Sequence, residues 1–103
     1  MNRQKIALEK VLYALADYKE NIEAIYLYGS YARGTYKYNS DVDLLIKVNS
    51  NVSNAWIRQL KADVMQDDIE LPEVDLKIVR NKIVGRQFAE NFRKDAKLLW
   101  KKK

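Results

Sequence analysis

Apolar residues fall at helical spacing near the start of the chain: Leu8, Val11, Leu12 and Leu15 share one face, which predicts an amphipathic helix over residues 3–19. EAIYLY (23–28) is rich in β-formers and reads as a strand ending at Gly29. The polar stretch SYARGTYKYNS follows. It opens with a short helical turn from Ser30 to Arg33 that Gly34 can terminate. Alternation in DVDLLIKV then predicts a second strand over 41–48, with Val42, Leu44 and Ile46 turned to the core. Ser53 can cap a second long helix over 53–68, with Trp56, Ile57, Leu60 and Val64 on one face. Pro72 closes the connection to a third strand, EVDLKIV (73–79). A third helix is expected over 81–93 with Val84, Phe88 and Phe92 inward, and Leu98 to Trp100 form an edge strand or cap. This order predicts a small α/β sandwich, one domain over 1–103, with helices covering one sheet.

Composition narrows the chemistry. The chain of 103 residues is 48% hydrophobic and 32% charged, a globular balance. With no cysteine and no histidine, disulfides, zinc sites, cysteine nucleophiles and histidine acid–base chemistry are excluded, and any metal must be held by oxygen: Mg²⁺, Mn²⁺ or Ca²⁺. The opening MNRQKIALEK holds no long apolar stretch, so we expect a soluble, cytoplasmic protein without a membrane association. The net charge is +5, with Arg93, Lys94, Lys97 and Lys101 to Lys103 crowded at the end. They read as a solvated, frayed tail; the other reading is a basic surface for nucleic acid, nucleotide or an acidic partner protein.

The polar groups of the middle segment carry the functional signal. Gly29-Ser30, where a strand runs into a helical turn, suits an anion: backbone N–H groups point outward, and glycine lets a phosphate approach. Ser30 adds a hydroxyl that can cap the turn and donate to a phosphate oxygen. Asp41 and Asp43 lie on one face of the second strand, roughly 6.5–7 Å apart along the chain. Asp75 and Lys77 point away from the apolar face of the third strand, so pairing of the second and third strands would bring Asp75 about 5 Å from that acidic face. Three anions this close raise one another's pKa unless a cation lies between them, which makes them candidate metal ligands. Taken singly, Asp41 can be a loop cap and Asp75 an edge-strand charge that deters aggregation. Arg33 can reach a phosphate or hold a surface carboxylate. Tyr31, Tyr36 and Tyr38 can stack on a base or stiffen the loop, and Lys77 can tune the acids or balance their charge.

GSYARGTYKYNSDVDL resembles the Gly-Ser…Asp-x-Asp signature of the DNA polymerase β-like nucleotidyltransferase superfamily, and the short chain is similar to its minimal (MNT) branch. The likeness extends through the Asp75 strand to FAENFRKDAKLLW. It departs at Asp95-Ala96, where relatives often carry an acid followed by glycine, a difference expected to touch a terminal turn and not the site.

The resemblance implies a nucleotidyltransferase fold, a small mixed β-sheet of three to four strands packed with three to four helices. Gly29 and Ser30, with Arg33, would hold the triphosphate of ATP. Asp41 and Asp43 would bind Mg²⁺ (two ions, or Mn²⁺ in their place), and Asp75 would complete the metal site and help deprotonate the acceptor hydroxyl. It also implies a partner: a HEPN-family toxin, for which the chain is the antitoxin, transferring AMP to a tyrosine of that toxin. The chain has no room for an acceptor domain, so the acceptor surface is expected from another protein or a second copy. Two readings from other classes stay open. One is a binding module that neutralises its partner by occlusion with an idle site, and the other is a transferase acting on RNA or a small molecule. Direct nucleic-acid binding is left open.

Overall fold

The computed structural model describes residues 2–65, 67–80 and 94–103. The first helix, α1 (Arg3–Leu15), starts at Asn2, whose side chain accepts from the Lys5 N–H. It stops four residues short of the expected 3–19 because its buried face ends at Leu15. Residues Ala16–Asn21 have no buried side chain and tighten into a 3₁₀ turn. Strand β1 (Ile22–Tyr28) runs into a one-turn helix, α2 (Gly29–Arg33), and then comes β2 (Val42–Val48). Helix α3 (Asn54–Val64) is capped by Ser53, whose Oγ accepts from the Trp56 N–H at 3.0 Å. It ends four residues before the expected position 68. Met65 is already extended, and Asp68 draws the chain into a local turn by accepting from the Glu70 N–H.

Strands β3 (Val74–Arg80) and β4 (Lys97–Lys101) complete a mixed sheet in the order β3-β2-β1-β4. β2 pairs parallel with β3 and antiparallel with β1, and α3 supplies the crossover that a parallel pair requires. The end of the chain is not a frayed tail: β4 pairs with β1 at the sheet edge, and the Lys102 N–H bonds to the Glu23 carbonyl at 2.9 Å. The expected helix over 81–93, with Val84, Phe88 and Phe92, lies outside the described residues.

One face of the sheet makes the core. Val42, Leu44, Ile46 and Val48 of the central strand meet Ile25 and Leu27 beside them, and Leu8, Val11, Leu15, Leu60 and Val64 from α1 and α3. The alternation read from the sequence therefore holds on β2. The opposite face is less bare than expected: Leu45, two residues after Asp43 and on the same face, is only 4% exposed and lies in register with Tyr26 and Lys77.

A contact not expected from the sequence holds the loop ahead of β2. Gln4, on the first turn of α1, is 3% exposed, the one buried polar side chain among the described residues. Its Nε2 donates to the carbonyls of Lys37, Tyr38 and Ser40 at 3.1, 3.1 and 3.2 Å. Arg3 beside it donates to the Tyr38 and Glu70 carbonyls and lies 4.1 Å over the Tyr38 ring. Two consecutive side chains thus tie the loop that delivers Asp41 to the loop that leads into β3. Replacing Gln4 by Leu leaves those carbonyls short of a buried donor, and we expect a loss of about 1–3 kcal/mol in stability. Urea unfolding reads this directly, and an unchanged midpoint would show the amide to be dispensable.

Candidate active site

The sheet register brings the acids together. β2 and β3 align Asp43 with Asp75, and β1 and β2 align Tyr28 with Asp43. Partners across a ladder project from the same face, so Tyr28, Asp43 and Asp75 form one row over three strands, neighbouring strands being about 4.8 Å apart. This is the pairing expected for Asp75. Asp41 is placed differently: β2 begins at Val42, whose N–H bonds to the Glu73 carbonyl at 2.9 Å. Asp41 therefore precedes the ladder on the loop secured by Gln4, and it is exposed.

Burial raises the Asp43 pKa above the usual carboxylate value, with the charges of Asp75 and then Asp41 adding to it; the Arg33 guanidinium works in the opposite direction. Tyr28 is pushed up to about 12, mainly by burial and further by Asp43 and Asp75. Tyr28 thus places a phenol in a row of acids, a position sequence reasoning missed. Its signal was available: Tyr28 is the last residue before Gly29, in alternation with the core-facing Leu27.

Gly29 is required twice over. Its φ is +80°, a left-handed backbone that disfavours side chains, and a Cβ there would collide with the Asp43 carboxylate. The turn after β1 and the central acid are thus in direct contact. Gly34, also at φ +80°, ends α2 as expected, with the Thr35 N–H reaching the Ser30 carbonyl at 3.1 Å. Ser30 does not cap the turn: Tyr28 is the N-cap residue and no side chain caps it, which leaves the Ser30 hydroxyl within the first turn.

Arg33 takes the carboxylate alternative, its Nη1 lying 2.8 Å from Oδ2 of Asp95. Asp95 thereby reaches the arginine that lowers the Asp43 pKa. Tyr31 and Tyr36 meet edge to face at 4.8 Å, Asn2 donates to both hydroxyls, and Tyr38 lies under Arg3; these contacts stiffen the loop. Lys77 shares the Asp75 face and is exposed.

The donor set suits a hard cation. It consists of carboxylate oxygens alone, with their charges opposed to one another. Among the described residues no three acids converge into a metal cage.

A family model described as polymerase beta, nucleotidyltransferase, matches residues 9–103. The protein adenylyltransferase MntA of Shewanella oneidensis is 32% identical over 77 residues, a stretch that covers 72% of this chain and 54% of that protein. The chain thus spans about half the length of this relative. A crystal structure of a toxin–antitoxin with AMP-PNP superposes on 100% of this chain and 76% of its own, with TM-score 0.59 and 22% identity. A complex of tri-AMPylated Shewanella oneidensis HEPN toxin with MNT antitoxin covers 96% and 73%, with TM-score 0.55 and 19% identity. At these identities the two structures show a common fold.

Two sets of variants test this geometry. Gly34→Ala, with open space around it, is expected to lose about 1–2 kcal/mol for its left-handed backbone. Gly29→Ala must lose more, because Asp43 is displaced as well; equal losses on denaturant titration would remove the contact argument. Asp43→Asn in metal-free protein is expected to raise Tm at neutral pH. A carboxyl whose folded pKa is raised destabilises the fold while ionised, so the gain should shrink as pH falls through that pKa and vanish below the unfolded value. A gain that persists undiminished in acid would contradict it.

Proposed function

The chain belongs to the polymerase β nucleotidyltransferase family, and from this premise we propose that it transfers AMP from ATP to a hydroxyl of a protein partner, with Mg²⁺. The observation that carries the reading is the row of Asp43 and Asp75 with the Gly29 turn pressed against it. A triphosphate site and an acidic site are then joined through one glycine. Backbone N–H groups after Gly29, with the Ser30 hydroxyl, would hold the phosphates. Arg33 would join them on exchanging Asp95 for a phosphate oxygen. Asp41, Asp43 and Asp75 would hold Mg²⁺, which when bound neutralises the charge that develops on the phosphoryl oxygens. Asp75, on the far side of Asp43 from the phosphate turn, would take the acceptor's proton. Tyr28 would donate a hydrogen bond within the row as a neutral phenol. Rate would come from positioning and electrostatics rather than covalent catalysis.

The acceptor we propose is a tyrosine of a HEPN-family toxin, which makes the chain an antitoxin working in the cytoplasm. Two things support this: the MntA relative, named a protein adenylyltransferase, and the fold shared with an MNT antitoxin bound to an AMPylated HEPN toxin. No helix among the described residues is long and apolar enough to cross a membrane. A second reading, occlusion without catalysis, draws on the edge strand β4, which presents Leu98, Leu99 and several lysines to solvent.

The test is labelling with α-phosphate-labelled ATP and Mg²⁺ in a lysate of the native host. A discrete labelled protein is expected with wild type, and Asp43→Asn should lower the signal by about 10²-fold or more. No labelled protein, combined with a stable co-purifying partner, would decide for occlusion.

A further inference from the structure

Asp41 is exposed and precedes the ladder, yet both peptide planes that flank it are held. The preceding plane carries the Ser40 carbonyl, which accepts from Gln4 Nε2 at 3.2 Å. The following plane carries the Val42 N–H, which donates to the Glu73 carbonyl at 2.9 Å. Peptide planes are rigid, so a residue held by the planes on both sides has its φ and ψ fixed, and with them the direction of its Cα–Cβ bond. One of the two holds comes from a side chain on α1, 36 residues earlier in the chain. The loop is shaped to receive it. The Lys37 N–H donates to Ser40 Oγ at 2.8 Å and the Ser40 N–H to the Lys37 carbonyl at 3.0 Å, closing residues 37–40 into a turn. The carbonyls of Lys37, Tyr38 and Ser40 then converge on Gln4, whose two amide N–H groups serve all three. Gln4 shares the buried face of α1 with Ala7, Leu8 and Val11, so packing fixes the amide in turn.

We propose that Gln4 is a positioning residue for the metal site: acting through the Ser40 carbonyl, it holds the direction in which the Asp41 carboxylate is presented. That role rests on the Mg²⁺-dependent reading above, in which Asp41 is a metal ligand. Asp43 and Asp75 need no such hold, because the β2–β3 ladder fixes them in register. Asp41 is near enough for its charge to act on Asp43, but no ladder bond of its own strand sets its orientation. Mg²⁺ demands near-ideal octahedral oxygen geometry and tolerates little misplacement of a ligand. A carboxylate at the end of an exposed loop meets that demand when its backbone is ordered before the ion arrives. Without the Gln4 amide, rotation about the Asp41 N–Cα bond is released, and the entropy lost in ordering the loop weakens binding. Gln4 touches neither the ion nor the reacting atoms; its effect passes through Asp41 alone.

A double-mutant cycle on the intact chain tests this, with Mn²⁺ as the probe and free Mn²⁺ read from its EPR signal at neutral pH. Gln4→Leu is expected to lower Mn²⁺ affinity by about tenfold, the usual scale for removing a residue that orients a metal ligand. Asp41→Ala should lower it at least as much, and the double variant should bind no more weakly than Asp41→Ala alone. Val48→Ala, at the far end of β2 and fully buried, controls for general loosening and should stay within about twofold of wild type. Gln4→Asn keeps the amide but withdraws it by one methylene, and gives the same reading should the leucine variant not fold. Affinity of the Gln4 variant within about twofold of wild type would overturn the proposal. So would full additivity in the double variant, an equal loss in Val48→Ala, or no effect of Asp41→Ala. A wild-type chain that binds no Mn²⁺ would instead remove the metal-dependent reading itself, and this one with it.

Discussion

Two carboxylates in register on adjacent parallel strands repel, and much of the molecule is arranged to keep them there. Asp43 and Asp75 lie directly across the β2–β3 ladder, and burial of Asp43 strengthens the conflict. A sheet tolerates this because the other face of the same strands is a continuous apolar core: Val42, Leu44 and Ile46 are fully buried next to the residues that carry the charge. Apolar burial of roughly 1.5–3 kcal/mol per large side chain outweighs the repulsion of a partly solvated pair. The register is thus set by the core face, and the acidic face inherits it.

Loop anchoring is the second constraint. Asp41 lies outside the ladder, and its position relative to Asp43 depends on the chain that precedes it. Gln4 and Arg3 hold that chain by its carbonyls, using backbone acceptors that any residue in the loop would supply. The side chains of the loop's tyrosines carry none of this anchoring and instead pack on one another and on Asn2 and Arg3 at the start of α1. At the opposite edge of the site, Arg33 is shared in effect between Asp95 and the field around Asp43, which couples the residues ahead of β4 to α2.

The elements were legible in the sequence wherever local periodicity alone produces them. β1, β2 and β3 occur within a residue of the expected bounds, since alternation of core and solvent positions is a property of the extended chain itself. Helix ends were less legible. α1 and α3 each stop where their buried face stops, and the helical periodicity expected through ADYK or to Asp68 cannot replace a missing core contact. The apolar run Leu98 to Trp100 marked the edge strand in the sequence, but the lysines around it looked like a solvated tail because the partner that draws them into the sheet lies 70 or more residues away.

The sequence by itself determined the side of each strand on which Asp43, Asp75 and Lys77 emerge, and the need for glycine at 34. These follow from covalent geometry over a few residues. Only the tertiary structure decided that Asp75 faces Asp43, that Tyr28 joins them, that Arg33 holds Asp95, and that Gln4 pins the loop before Asp41. Each of those is a choice of partner across 15 or more residues of chain. Such choices are made by shape and burial in the assembled fold, where a polar atom must find whichever partner the packing leaves within reach.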